Sequence, residues 1–139
     1  MGPARVRAAL AFAATVLFAS EPGYRQAPTY TATTIVNLAS GRAGELAPNT
    51  VAAIFGDQLA TVTRALQESD LRGGLLPYVL TGTGVTVKVN GLLAGIEYVS
   101  PEAVVFVVPA DLLPGPANVV LTRNALNGPT VRVTLQAAA

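Results

Sequence analysis

The sequence predicts an all-β domain, an antiparallel β-sandwich of about seven short strands. Three observations carry this expectation. Apolar residues alternate with polar ones at a period of two in Thr83–Asn90 (TGVTVKVN) and Thr130–Gln136 (TVRVTLQ), the pattern of strands with one face buried. Short apolar or β-branched runs recur between turn-forming groups such as Asn90-Gly91, Ser100-Pro101-Glu102 and Pro114-Gly115-Pro116, at the spacing that sandwiches show. Finally, 139 residues make one domain, and an apolar share of 51% against a charged share of 12% supplies a core and argues against disorder.

Along the chain, Met1–Ser20 comes first. Arg5 and Arg7 precede an unbroken apolar and small-residue run, Ala8–Ala19. The run is too short for the roughly 20 residues of a membrane span and has the form of a signal peptide, with the new N-terminus expected between Ala19 and Thr29. No cysteine follows it, so no lipid anchor is expected. Residues 1–20 are therefore expected to be a signal peptide, residues 21–30 a flexible Pro/Gly-containing leader, and residues 31–139 the sandwich. The mature chain is expected to be secreted or held in the periplasm or cell envelope, without a transmembrane anchor.

The strands come next. Thr31–Val36 and Thr50–Phe55 are β-branched or apolar runs, the second ended by Gly56. In Thr83–Asn90, Val85, Val87 and Val89 share one face, and Thr86, Lys88 and Asn90 the other. Asn90-Gly91 tolerates positive φ and predicts a tight hairpin. Its return strand is expected over Leu93–Val99, with Ile96 and Tyr98 on one face. Ala103–Val108, Asn118–Arg123 and Thr130–Gln136 complete the set, with Val131, Val133 and Leu135 inward, and Asn124–Pro129 reads as a connection. Asp57–Leu80 is ambiguous. Leu59, Val62 and Leu66 have helical spacing, whereas the competing reading is an irregular crossover between the sheets with one short strand.

Composition also excludes functions. Without cysteine or histidine, disulfides, Cys/His zinc sites and histidine- or thiolate-based catalysis are ruled out. The formal charge is +1, with nine basic and eight acidic residues; losing Arg5 and Arg7 with the signal leaves −1. Neither value supplies a field for nucleic acid. Glu97 and Glu102 flank a turn and read as solvated carboxylates. Glu68 and Asp70 lack the further carboxylates of a dedicated calcium loop. Lys88 lies mid-strand on the outward face, without the burial that a catalytic lysine needs. No enzymatic activity, cofactor or resident metal is expected.

The order of the motifs resembles one family. Ile54-Phe55-Gly56-Asp57-Gln58-Leu59-Ala60 is similar to the I-x-G-x-n-L signature of IPT/TIG-type immunoglobulin-like domains. Closer still is the related family found mostly at the C-terminus of secreted acidobacterial proteins. Its N-x-A-S opening is matched by Asn37-Leu38-Ala39-Ser40, its hydrophobic-A-P segment by Leu46-Ala47-Pro48, its G-V-x-V-x-V-N-G strand by Gly84–Gly91, its Y-V-S-P segment by Tyr98–Pro101 leading to Pro109, and its P-G-x-A-x-V segment by Pro114–Val119. The resemblance covers about Ile35–Leu135. It implies an immunoglobulin-like sandwich and a structural or adhesive role, with no catalytic site. One departure stands out: where the family carries Gln and Asn on the outer face of the strand after Y-V-S-P, this chain has Ala103, Val105 and Val107.

That departure picks out the candidate site. With Val104, Phe106 and Val108 inward, Val105 and Val107 point outward, and Val51 and Phe55 are expected beside them. Either Asp57–Leu80 folds over this apolar face or another molecule does. The expected function is a non-enzymatic extracellular interaction module, its partner an extracellular or envelope protein or a second copy of the chain. The alternative is a carbohydrate-binding accessory domain that stacks a polysaccharide on Tyr78.

Overall fold

The computed structural model describes residues 26–137; the expected signal peptide and half of the expected leader, residues 21–25, lie outside the described residues. Two antiparallel sheets face each other around one apolar core. The first sheet has the order β1-β2-β7-β6-β3: β1 is Ile35–Asn37, β2 Val51–Phe55, β3 Arg64–Ala65, β6 Gly95–Val99 and β7 Ala103–Val107. The second has the order β10-β8-β4-β5: β4 is Val85–Val89, β5 Leu92–Leu93, β8 Gly115–Arg123 and β10 Val131–Leu135, with β9 (Leu126–Asn127) folding back on β8. Among the described residues, no helix is long and apolar enough to cross a membrane.

Alternation decides which side chains enter the core. Val85, Val87 and Val89 are buried, while Thr86 is half-buried and Lys88 exposed. Val104 and Phe106 of β7 and Val108 just after it are buried, as are Val133 and Leu135 of β10, while Val131 is half-buried against the core. Asn90 and Gly91 take φ of 49° and 81°. Positive φ at both central residues matches the right-handed twist of the flanking strands, and Val89 pairs directly with Leu92.

The return strand is not one strand. After Leu93 the chain changes sheets: the Ala94 N–H still donates to Val87 O at 2.8 Å, but Gly95 already pairs with Val107 of β7. A buried Ala94 and a side-chain-free Gly95 make this corner, where strands pass between packed sheets. The β6–β7 register then shifts between Ile96 and Tyr98. This bulge reverses the facing of the remaining β6 residues. Ile96 and Val99 are buried, and Tyr98 turns to the outer face instead of sharing Ile96's.

Three further expectations are corrected. The Thr31–Val36 run opens as a 3-10 turn, Ala32–Thr34, whose Thr34 hydroxyl donates to Thr31 O at 3.0 Å; the strand begins only at Ile35. The Pro114-Gly115-Pro116 turn is already strand at Gly115, and Pro116 pairs with Thr134. Proline is tolerated there because its missing N–H faces the β4 side, past the hairpin at Asn90, where no ladder bond is lost. Lastly, Thr29 and Tyr30, read as leader, belong to the sandwich. Thr29 and Asp57 exchange two backbone hydrogen bonds, and Tyr30 is only 6% exposed.

The crossover is resolved in favour of the irregular reading. It contains β3 and a 3-10 turn, Glu68–Asp70, and no α-helix. Leu59 is buried, Leu66 half-buried and Val62 43% exposed, so the three never form one stripe. The segment follows the edge of β6, whose free backbone groups it satisfies. β3 pairs with Tyr98 and Val99, the Leu66 N–H donates to Glu97 O, and Pro77 O accepts from the Ile96 N–H, both at 2.9 Å.

Candidate functional site: the outer face of the first sheet

Register places the four sequence-predicted interface residues on one face. Val51 lies directly opposite Val107, Ala53 opposite Val105, and Phe55 opposite Ala103. Val36 of β1 faces Ala53, and Tyr98 of β6 faces Val105. Directly opposed residues share a face, so these apolar side chains form a strip across β1, β2, β7 and β6, beside half-buried Glu97 at the bulge of β6. Val51, Val105 and Val107 are half-buried and Phe55 is 47% exposed. Small Ala53, between larger neighbours, is fully covered. The crossover pairs along the edge of β6 and approaches the strip at Val107, where Leu75, Leu76 and Tyr78 line one groove with it. Its contact with the outer side of this sheet is Leu76 over Gly95, where a Cβ would come within 2.7 Å of the leucine's own Cβ.

Tyr78 lies apart from the strip. It is 55% exposed and stands with Leu75 and Leu76 between two shallow grooves. One, of about 560 Å³, reaches Leu92, Leu93, Val107 and Asp111; the other, of about 370 Å³, holds Ser69, Asp70, Arg72 and Thr81. Val107 thus connects the apolar strip to the first groove.

Asp70, the buried acidic residue of the crossover, has structural partners. Asp70 Oδ1 accepts from Arg64 Nη2 at 2.8 Å, and Oδ2 accepts from the Gln67 N–H at 2.7 Å. The Arg64 hydrogen bond, and then the Gln67 amide, hold the Asp70 carboxyl below the usual aspartate range. The folded pKa therefore lies below the unfolded one. This contact adds stability above the ordinary aspartate pKa and loses it as pH falls through the folded value. Asp70→Asn is expected to lower the urea midpoint at neutral pH and to flatten its decline on acidification. A decline as steep as that of the unmodified protein would assign the acid sensitivity to other carboxylates.

Two features escaped sequence reasoning. Tyr98 joined the strip only through the bulge. Arg123 is 1% exposed, yet the signal for it was present: in the NVVLTR alternation it shares a parity with Val119 and Leu121, both buried. Its guanidinium donates to two backbone carbonyls, Gln58 O and Gln26 O. Comparison with known protein families and with curated proteins found no match to this chain.

Proposed function

We propose that this chain is an exported, non-enzymatic, immunoglobulin-like module that uses the outer face of its first sheet to bind a protein. The immunoglobulin reading draws support from strand order. β1-β2-β7-β6 facing β10-β8-β4 has the arrangement of strands A-B-E-D and G-F-C in constant-type immunoglobulin domains. Export is supported by Arg5, Arg7 and the Ala8–Ala19 run.

One observation carries the binding proposal: Val36, Val51, Phe55, Tyr98, Val105 and Val107 form an apolar strip over four strands, exposed at Phe55 and half-buried along the rest. An antiparallel sheet with one wet face ordinarily alternates to polar residues there, and contiguous apolar surface marks an interaction site. The partner is an extracellular or envelope protein with a complementary apolar surface. The carbohydrate reading is kept as second because Tyr78 presents an exposed ring flanked by Ser69, Arg72 and Thr81.

The test is Val105→Thr with Val107→Thr. Threonine keeps the β-branched shape while reducing apolar surface. At half-exposed positions the pair should change stability by less than about 1 kcal/mol. Retention of envelope proteins on the immobilised domain, or its self-association in sedimentation, should fall. A lowered urea midpoint would instead indicate a covered face. Polysaccharide binding that survives this pair and disappears in Tyr78→Ala would establish the second reading, and undiminished protein binding would remove support for the first.

A further inference from the structure

The sandwich is entered by a short segment, Gln26–Tyr30, fastened at three points. At one end, Tyr30 Oη donates to Pro129 O at 2.6 Å and accepts from the Leu121 N–H at 2.7 Å. Burial pushes this phenol above its usual pKa, against the lowering effect of the Leu121 amide, so it stays a neutral donor. In the middle, Thr29 exchanges backbone hydrogen bonds of 2.9 and 3.0 Å with Asp57, two residues beyond Phe55. At the other end, Arg123 Nη2 donates to Gln26 O at 2.7 Å while Nη1 reaches Gln58 O.

The surroundings are shaped to accept this segment. A Cβ on Gly56 would lie 2.1 Å from Thr29 O, and one on Gly128 would lie 2.6 Å from the Tyr30 ring. Gln58 adopts φ of 61°, a conformation uncommon for a residue with a side chain. Its carbonyl there meets the same guanidinium as that of Gln26. Among the described residues, Arg123 makes no ion pair. A buried cation satisfied by carbonyls is costly to assemble, and a sandwich needing only core stability would be served as well by an apolar residue in that inward position.

We propose that Gln26–Tyr30 is a latched strap whose own path is fixed against the sandwich beside the Phe55 end of the outer face, with Arg123 as the positioning residue that secures its outer end. The strap is then a fixed part of the domain and not a tether, whatever binds the apolar strip.

The native chain has no cysteine, so two spin labels can be placed without background. Ala27→Cys, on the strap, and Lys88→Cys, on the second sheet, are both exposed positions. In the full chain, pulsed dipolar spectroscopy should give a single narrow distance. Arg123→Met removes both guanidinium contacts but keeps an apolar side chain of similar length. It should lose the narrow distance, while the Thr29 amide keeps its protection from exchange and the melting temperature holds or rises. A purely structural arginine would lower the melting temperature and leave the distance narrow. A broad distribution with Arg123 intact, which needs no variant to fold, would overturn the strap. A distance still narrow in Arg123→Met would overturn the latch.

Discussion

Val87→Asp is expected to unfold the domain or to come close to it. Val87 is fully buried at the centre of β4, opposite Leu121 of β8. The aspartate would place a polar carboxyl, charged or protonated, among apolar side chains of the core, a cost of several kcal/mol. Against a total stability of about 5–15 kcal/mol, this removes much or all of the margin. With a urea slope of about 1–3 kcal/mol/M, the midpoint should fall by roughly 2 M or more, if a folded baseline survives. Thr86→Asp is the control. Thr86 is one residue away, half-buried on the opposite face, and its replacement should change stability by less than about 1 kcal/mol. Similar midpoints for the two variants would contradict the register of β4.

Phe106→Ala is expected to cost about 3–5 kcal/mol, the range for a large aromatic removed from a packed core. Phe106 is fully buried on β7, with Ala52 on one side and Ile96 on the other in register. Phe55→Ala, in the adjacent strand of the same sheet, removes the same atoms from the opposite face. There the ring is 47% exposed, and the loss should stay near about 1 kcal/mol. Thermal or urea unfolding of both variants measures how strongly the two faces of this sheet differ. Comparable losses would mean that the outer face is as well covered as the core.

Much of this architecture was legible from residue order. The faces of β4, β7 and β10 follow from alternation because a strand's side chains point to opposite sides whatever it pairs with. The Asn90-Gly91 turn was readable because positive φ is a local preference. The candidate strip was readable for the same reason as the strand faces: once Val104 and Phe106 face inward, Val105 and Val107 must face outward.

Other features depend on contacts between residues far apart in the chain. Leu93–Val99 carries no local sign that it leaves one sheet for the other at Ala94 and Gly95, or that a bulge sends Tyr98 outward; both arise from its pairing with β7. The three apolar residues of Asp57–Leu80 have a helical interval, but the unpaired edge of β6 offered that segment backbone partners, and short runs with weak stripes yield to tertiary demand. Pro28 and Tyr30 look like linker by composition, yet both are buried, and Tyr30 is held by groups 91 and 99 residues away. Local steric preference and side-chain alternation thus determined the strands, the tight turn and the apolar outer strip. Sheet membership, the path of the crossover and the latching of the N-terminal strap were decided only in the folded molecule, because each satisfies backbone groups that the assembly of distant strands brings within reach and would otherwise leave unpaired.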